Sequence, residues 1–171
     1  EPDAVNFSFI GDSTFFASGI TGVVNAVYNQ TDIVLIVLDN STTAMTGHQP
    51  HPGTGITMMG DVSQKISIPT VLEAIGVKHV ATVDPLDLKA AIEAVKEAAG
   101  IKGVSAVIFK SPCIAVTKPA GLFSVDEGKC IGCQKCIREL GCPATTMEGK
   151  KAFIEPSLCY GCSICAQVCP V

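Results

Sequence analysis

Eight of the nine cysteines lie between Cys130 and Cys169, in two blocks of like spacing. Cys130, Cys133 and Cys136 are followed by Cys142-Pro143, and Cys159, Cys162 and Cys165 by Cys169-Pro170. Three thiolates at three-residue steps can wrap three irons of one cubane, and the fourth ligand must then come from elsewhere in the chain. Two other uses compete: disulfides, which need an oxidising compartment, and zinc, for which Cys-x-x-Cys is a common spacing. The repetition favours iron–sulfur chemistry, because the three-cysteine run recurs 29 residues on and both blocks end in Cys-Pro. The ninth cysteine, Cys113, stands outside both blocks and reads as a small buried hydrophobe.

A second constellation lies near the other end. Val5 to Ile10 is a short apolar run that stops at Gly11-Asp12-Ser13, and Ile33 to Leu38 is a longer one that stops at Asp39-Asn40-Ser41-Thr42. Such runs suit buried parallel strands. Taken alone, Asp12 and Asn40 are ordinary turn and capping residues. Their position gives them a second use, since ligands of doubly wound sheets sit at the C-terminal ends of parallel strands.

The elements that must hold these groups follow from periodicity. Between the two runs, Phe16, Ile20, Val23, Val24 and Val27 fall at helical intervals, with Ser13 expected as N-cap and Gly19 and Gly22 allowing close approach. Strand, helix, strand makes a βαβ unit. From Thr42 to Asp61 the periodicity stops, and a loop of that length is usually functional or disordered. A short helix to Ile75 and a strand at His79 to Val83 come next. Leu88, Ala91, Ile92, Val95 and Ala98 then face away from Lys89, Glu93, Lys96 and Glu97, ahead of a strand at Val104 to Phe109.

The expected architecture is α/β: a doubly wound, mostly parallel sheet over residues 1–117, then a small α+β module over 118–171. Lys118 to Gly128, with Pro119, Gly121 and Gly128, reads as the linker, and Lys150-Lys151 with Phe153-Ile154 as a hairpin between the cysteine blocks. The module has little core of its own, so the clusters are expected to hold it together. A net charge of −4 without a basic run argues against nucleic acid as a partner. The apolar stretch from Ile33 to Leu38 is too short to cross a membrane. No signal peptide is recognisable, and a cytoplasmic location is expected. The chain enters its first strand soon after Glu1, as the C-terminal part of a longer subunit would.

The cysteine pattern resembles the bacterial two-cluster ferredoxins, in which the fourth cysteine of each run serves the other cluster. That resemblance implies one 4Fe-4S cluster on Cys130, Cys133, Cys136 and Cys169, and another on Cys159, Cys162, Cys165 and Cys142. Five residues instead of three separate Cys136 from Cys142, so a longer turn is expected there. Gly11-Asp12-Ser13, with Asn40 28 residues after Asp12, resembles the thiamine-diphosphate motif, with Ser13 in place of a glycine. It implies that Asp12, Asn40 and the Thr42 carbonyl bind Mg2+, which clamps the diphosphate beside Gly11, Ser13 and Ser41. Magnesium takes hard oxygens of this kind together with phosphate.

Thr46-Gly47-His48-Gln49 is similar to the Thr-Gly-x-Gln loop of the 2-oxoacid:ferredoxin oxidoreductases, which places Thr46 and Gly47 beside the diphosphate. The stretch from Leu38 to Gly55, joined to a two-cluster module, is similar to the α subunits of indolepyruvate ferredoxin oxidoreductases. The resemblance implies a thiamine-diphosphate-binding fold that decarboxylates an aryl 2-oxoacid and transfers the acyl group to coenzyme A, with electrons leaving on external ferredoxin. It also implies a hetero-oligomer with a second subunit type. The activating glutamate belongs in that family to a separate pyrimidine-binding domain, and Glu73, Glu93 and Glu97 read as solvated helix faces. His48 is the candidate catalytic residue, with His51 behind it, and Met45, Met58 and Met59 are candidate lining for an aromatic substrate. The same chemistry on pyruvate or a branched 2-oxoacid is one competing reading. An electron-transfer module without thiamine chemistry is another.

Overall fold

The computed structural model describes residues 4–118 and 121–171 and divides into two units, Glu1–Ala115 and Val116–Val171. In the first, the apolar runs form four parallel strands, β1 (Phe7–Gly11), β2 (Ile33–Asp39), β3 (His79–Val83) and β4 (Val104–Lys110), in the order β1-β2-β4-β3. Side chains alternate across a strand, so each strand contributes to two cores. Leu35 and Val37 of β2 join Ala106 and Ile108 of β4 on one face, while Val34 and Ile36 join Val107 on the other.

Helices close both faces. Phe15 and Val23 from residues 12–28, and Ile68 and Leu72 from the helix Ile68–Ile75, fill the first core. Ala94 and Ala98 of the helix Leu88–Ala99 fill the second. Phe15, Val37, Leu72, Ala106 and Val107 are wholly buried. Each large side chain among them contributes about 1.5–3 kcal/mol to folding. The Ser67 hydroxyl accepts the Thr70 N–H at 3.3 Å and left-handed Gly76 ends that helix, while Asp87 accepts the Ala90 N–H at 3.0 Å at the head of the next.

The first helix departs from expectation. It begins at Asp12 directly after β1, with Gly11 in the capping position and no side-chain cap, so Ser13 lies inside the first turn rather than capping it. No turn separates the strand from the helix, and the start moves one residue earlier. The stretch Phe15–Gly19 is wound as a π-helix before regular α-helix resumes at Ile20–Tyr28.

The second unit contains an antiparallel hairpin of β5 (Thr145–Glu148) and β6 (Lys151–Ile154), with short helices at Lys135–Arg138 and Ile164–Gln167. Among its described residues the buried apolar side chains are Ala144, Ala152, Ile154 and Val168, a small core. The expected linker includes residues 119 and 120, which lie outside the described residues. Its remainder is part of this unit rather than a free tether: the Gly121 carbonyl lies so close to Gly161 that a Cβ there would meet it at 2.0 Å. Among the described residues no helix is long and apolar enough to cross a membrane.

Candidate functional site

β1 and β2 are adjacent and parallel, and Gly11 pairs with Leu38, so Asp12 and the segment from Asp39 to Thr42 emerge side by side at one end of the sheet. Asp12 is 2% exposed and accepts three hydrogen bonds. The Ser13 N–H reaches its Oδ1 at 2.8 Å, and the Ser41 N–H and His51 Nε2 reach its Oδ2 at 2.9 and 3.1 Å. Ser41 takes a left-handed conformation (φ 62°) and its N–H also meets Asp39 Oδ1, at 3.0 Å. Asn40 Oδ1 accepts the Thr42 N–H at 3.2 Å, and Thr42 is buried. The Asn40 carbonyl accepts the Cys113 N–H at 2.9 Å, tying this corner to the segment after β4.

Burial pushes the Asp12 carboxyl above its ordinary range; the Ser13 N–H and His51 pull against that, and the nearby Asp39 carboxylate pushes the same way as burial. Lys110 Nζ lies 3.5 Å from Asp39 Oδ2 and balances that carboxylate. Asp12 faces two amides, an imidazole and the Asp39 carboxyl. A buried carboxylate so placed, beside the Asn40 side chain and the Thr42 carbonyl, is a hard-oxygen set that fits a magnesium ion carrying a diphosphate.

The long loop is internally bonded. Thr43 pairs with Gln49, Ala44–Thr46 forms a 3-10 turn, and Gly47 and His48 are left-handed. Thr46 Oγ1 donates to Gln49 Oε1 at 2.7 Å, Gln49 Nε2 donates back to the Thr46 carbonyl, and Thr43 Oγ1 donates to Ser13 Oγ at 2.9 Å. His48 is exposed, whereas His51 is 8% exposed and sits on Asp12. Its Nδ1 accepts the Gly53 N–H at 3.1 Å, and Phe16 stacks on its ring at 5.7 Å and 29°. The π-wound turn puts Phe15 in the core and Phe16 on His51, and such turns recur at functional sites. Met45 and Met59 project into solvent, and Met58 edges a hollow of about 530 Å³ together with Ser13, Phe16 and His51.

All nine cysteines, eight of them in the second unit, are free of disulfides. Burial pushes the Cys136 thiol up, and the neighbouring thiols of Cys133, Cys169 and Cys130 act the same way. Burial likewise raises Cys165, whose thiol neighbours are Cys162, Cys142 and Cys159. Cys130 is held low by the Ala152 and Gly132 N–H groups, with the Lys151 ammonium adding to them. Thiols crowded as those around Cys136 and Cys165 are suit a cationic cluster that neutralises several thiolates together. Cys130, Cys133, Cys136 and Cys169 line a cavity of about 220 Å³, which Cys165 also borders.

The repeat is also written in the backbone. Gly132 and Gln134 are left-handed at 69° and 62°, and Gly161 and Ser163 at 79° and 63°. Alternation of this kind turns successive N–H groups inward, as at many Fe–S sites. Both glycines are obligatory for space: a Cβ on Gly132 would lie 2.3 Å from the Lys150 carbonyl, against 2.0 Å for the contact at Gly161. The longer interval before Cys142 is absorbed by one further turn, in which the Gly141 N–H donates to the Ile137 carbonyl at 3.1 Å and Gly141 turns left-handed.

Comparison with known proteins agrees with both halves. Residues 1–109 match the family described as thiamine pyrophosphate enzyme, C-terminal TPP binding domain, and residues 122–170 match the 4Fe-4S dicluster domain. The chain is 48% identical over 168 residues to the indolepyruvate oxidoreductase subunit IorA of Methanothermobacter thermautotrophicus, covering 95% of this chain and 27% of that protein. It is 45% identical over 171 residues to the subunit of the same name from Thermococcus kodakarensis, covering 94% and 26%. The chain thus spans about a quarter of the length of these relatives. With most of its length inside the first match, the chain belongs to the thiamine pyrophosphate enzymes, with a 4Fe-4S dicluster domain following their C-terminal TPP-binding domain.

Proposed function

We propose that the chain is the cofactor-holding part of an enzyme that oxidatively decarboxylates an aryl 2-oxoacid such as indolepyruvate. The acyl group passes to coenzyme A and the electrons to an external ferredoxin. The names of the relatives support the substrate class. The observation that carries the reading is Asp12, buried between Ser13, Ser41 and His51 beside Asn40 and Thr42, in a chain that also sets eight cysteines in two repeated blocks.

In this reading Asp12, Asn40 and the Thr42 carbonyl hold Mg2+, and Gly11, Ser13, Ser41, Thr46 and Gly47 surround the diphosphate. Cys130, Cys133, Cys136 and Cys169 hold one 4Fe-4S cluster, and Cys159, Cys162, Cys165 and Cys142 the other. When bound, thiamine diphosphate supplies the carbanion that attacks the 2-oxo carbon and the sink for the electrons left by carbon dioxide, and the clusters supply one-electron acceptors. The chain's own groups prepare for this. The Ser13 and Ser41 N–H groups stabilise Asp12 as an anion ready for the metal. The Gly132 and Ala152 N–H groups and Lys151 stabilise Cys130 as a thiolate ready for iron. Phe16 and His51 close the back of Asp12 against water.

The group that activates the aminopyrimidine, and a second subunit type, are contributed from outside this chain. Thiolate clusters suit a reducing compartment, which supports a cytoplasmic location. The test is anaerobic turnover by the full-length enzyme with its partner subunit, using indolepyruvate, coenzyme A and a viologen acceptor. Viologen reduction that requires coenzyme A and is lost in Asp12→Ala supports the reading. Turnover of pyruvate but not indolepyruvate moves the substrate class, and no turnover of any 2-oxoacid with intact clusters removes the thiamine chemistry.

A further inference from the structure

We propose that His51 is a positioning residue for the metal clamp: its Nε2–H occupies Asp12 Oδ2, leaving Oδ1 as the oxygen that meets Mg2+. The inference rests on the reading of Asp12 as a magnesium ligand, and it concerns a residue outside the motif that identifies that ligand.

The tautomer is set by the surroundings of the ring. The Gly53 N–H points at Nδ1 at 3.1 Å, so Nδ1 carries the lone pair and Nε2 carries the proton. The proton faces Asp12 Oδ2 at 3.1 Å. Oδ2 therefore receives two N–H donors, His51 and the Ser41 N–H that it shares with Asp39 Oδ1, while Oδ1 receives only the Ser13 N–H among the N–H donors described; the Asp39 carboxyl also meets Asp12. A carboxylate has about four lone-pair sites. Both N–H donors on that side occupy Oδ2, and Oδ1, with one donor, keeps a lone pair for the metal.

The imidazole has little freedom to leave. Phe16 stacks on one face, and Gly53 packs so close that a Cβ there would lie 3.0 Å from both His51 Cε1 and Phe16 Cε2. The His51 carbonyl accepts from Thr54 N–H at 2.9 Å and from Thr54 Oγ1 at 2.8 Å, which pins the backbone beneath the ring. Outer-shell partners of this kind typically change metal affinity 10–100-fold when removed.

Two substitutions separate the bonds His51 makes. In His51→Gln the side-chain amide can reach Asp12 and donate, but the acceptor for Gly53 is lost. In His51→Asn the side-chain oxygen can accept from Gly53, but no donor reaches Asp12. We would titrate Mg2+ into full-length anaerobic enzyme at fixed thiamine diphosphate, by calorimetry. The expected result is Mg2+ affinity about 10–100-fold weaker in His51→Asn, approached again at high Mg2+, and within about threefold of wild type in His51→Gln. Wild-type affinity in His51→Asn overturns the proposal, as does equal weakening in both variants, which would assign His51 to ring packing alone. Absence of Mg2+-dependent thiamine diphosphate binding in the wild type would instead remove the function proposed above. A crystal structure of the wild type with Mg2+ and thiamine diphosphate decides the matter even should a variant fail to fold. Metal on Oδ1 with His51 still bonded to Oδ2 supports the proposal, and metal on Oδ2 with His51 displaced overturns it.

Discussion

Asp32 lies at the opposite end of the sheet from Asp12, just before β2, and its surroundings act in the opposite sense. The Gly103 N–H donates to its Oδ1 at 2.5 Å, and Lys102 Nζ lies 3.5 Å from its Oδ2. The Gly103 bond holds its carboxyl below the ordinary value of 3.8, with burial opposing and Lys102 assisting. A depressed acid contributes stability that is present above its unfolded value and lost as pH falls through the lower folded one. Asp32→Asn is therefore expected to lower the urea midpoint at neutral pH, with the gap from wild type closing as pH falls below the ordinary carboxylate range. A gap independent of pH would show that the bond does not depend on charge. Asp12 and Asn40 stand out in the sequence through their strand-end spacing. His51 does not, because His48 and His51 share one polar loop and only the folded bonding sends one to solvent and the other to Asp12.

The regular elements were legible because each carries its own signals. Leu88–Ala99 shows a clear apolar stripe along the chain, whereas the caps at Ser67, Gly76 and Asp87 emerge only in the folded structure. The π-wound stretch Phe15–Gly19 has no such signal, since the sequence keeps ordinary helical spacing and the extra residue per turn is set by where Phe15 and Phe16 must pack. The cysteine blocks show the reverse: their turns demand particular residues. Gly161→Ala is expected to cost about 1–2 kcal/mol for the left-handed backbone and to force the Gly121 backbone away. Gly149, left-handed at 60° with nothing near a built Cβ, supplies the control. Iron per chain and visible absorbance should fall in Gly161→Ala and stay near wild type in Gly149→Ala. Equal losses would show that backbone conformation, not the close approach, sets the effect.

The two units have unequal means of staying folded. The first has cores on both faces of a parallel sheet, whereas the second buries Ala144, Ala152, Ile154 and Val168. A module with so little buried apolar surface folds with help from metal. Anaerobic removal of iron by a chelator is expected to abolish amide-exchange protection in β5, β6 and the short helices of the second unit while leaving that of β2 and β4 unchanged. Protection retained in both units would show that the second unit folds without clusters.

The fold class, the division into two units and the presence of both cofactor types are readable along the chain because they rest on local patterns: apolar runs, helical periodicity, and cysteine intervals that ligation chemistry dictates. The sheet order β1-β2-β4-β3, the close approaches at Gly132 and Gly161, and the choice of His51 over His48 depend on residues far apart in sequence. Asp12 meets His51 across 39 positions. No periodicity records such a meeting, since it exists only once packing against Phe16 and Gly53 has fixed the ring.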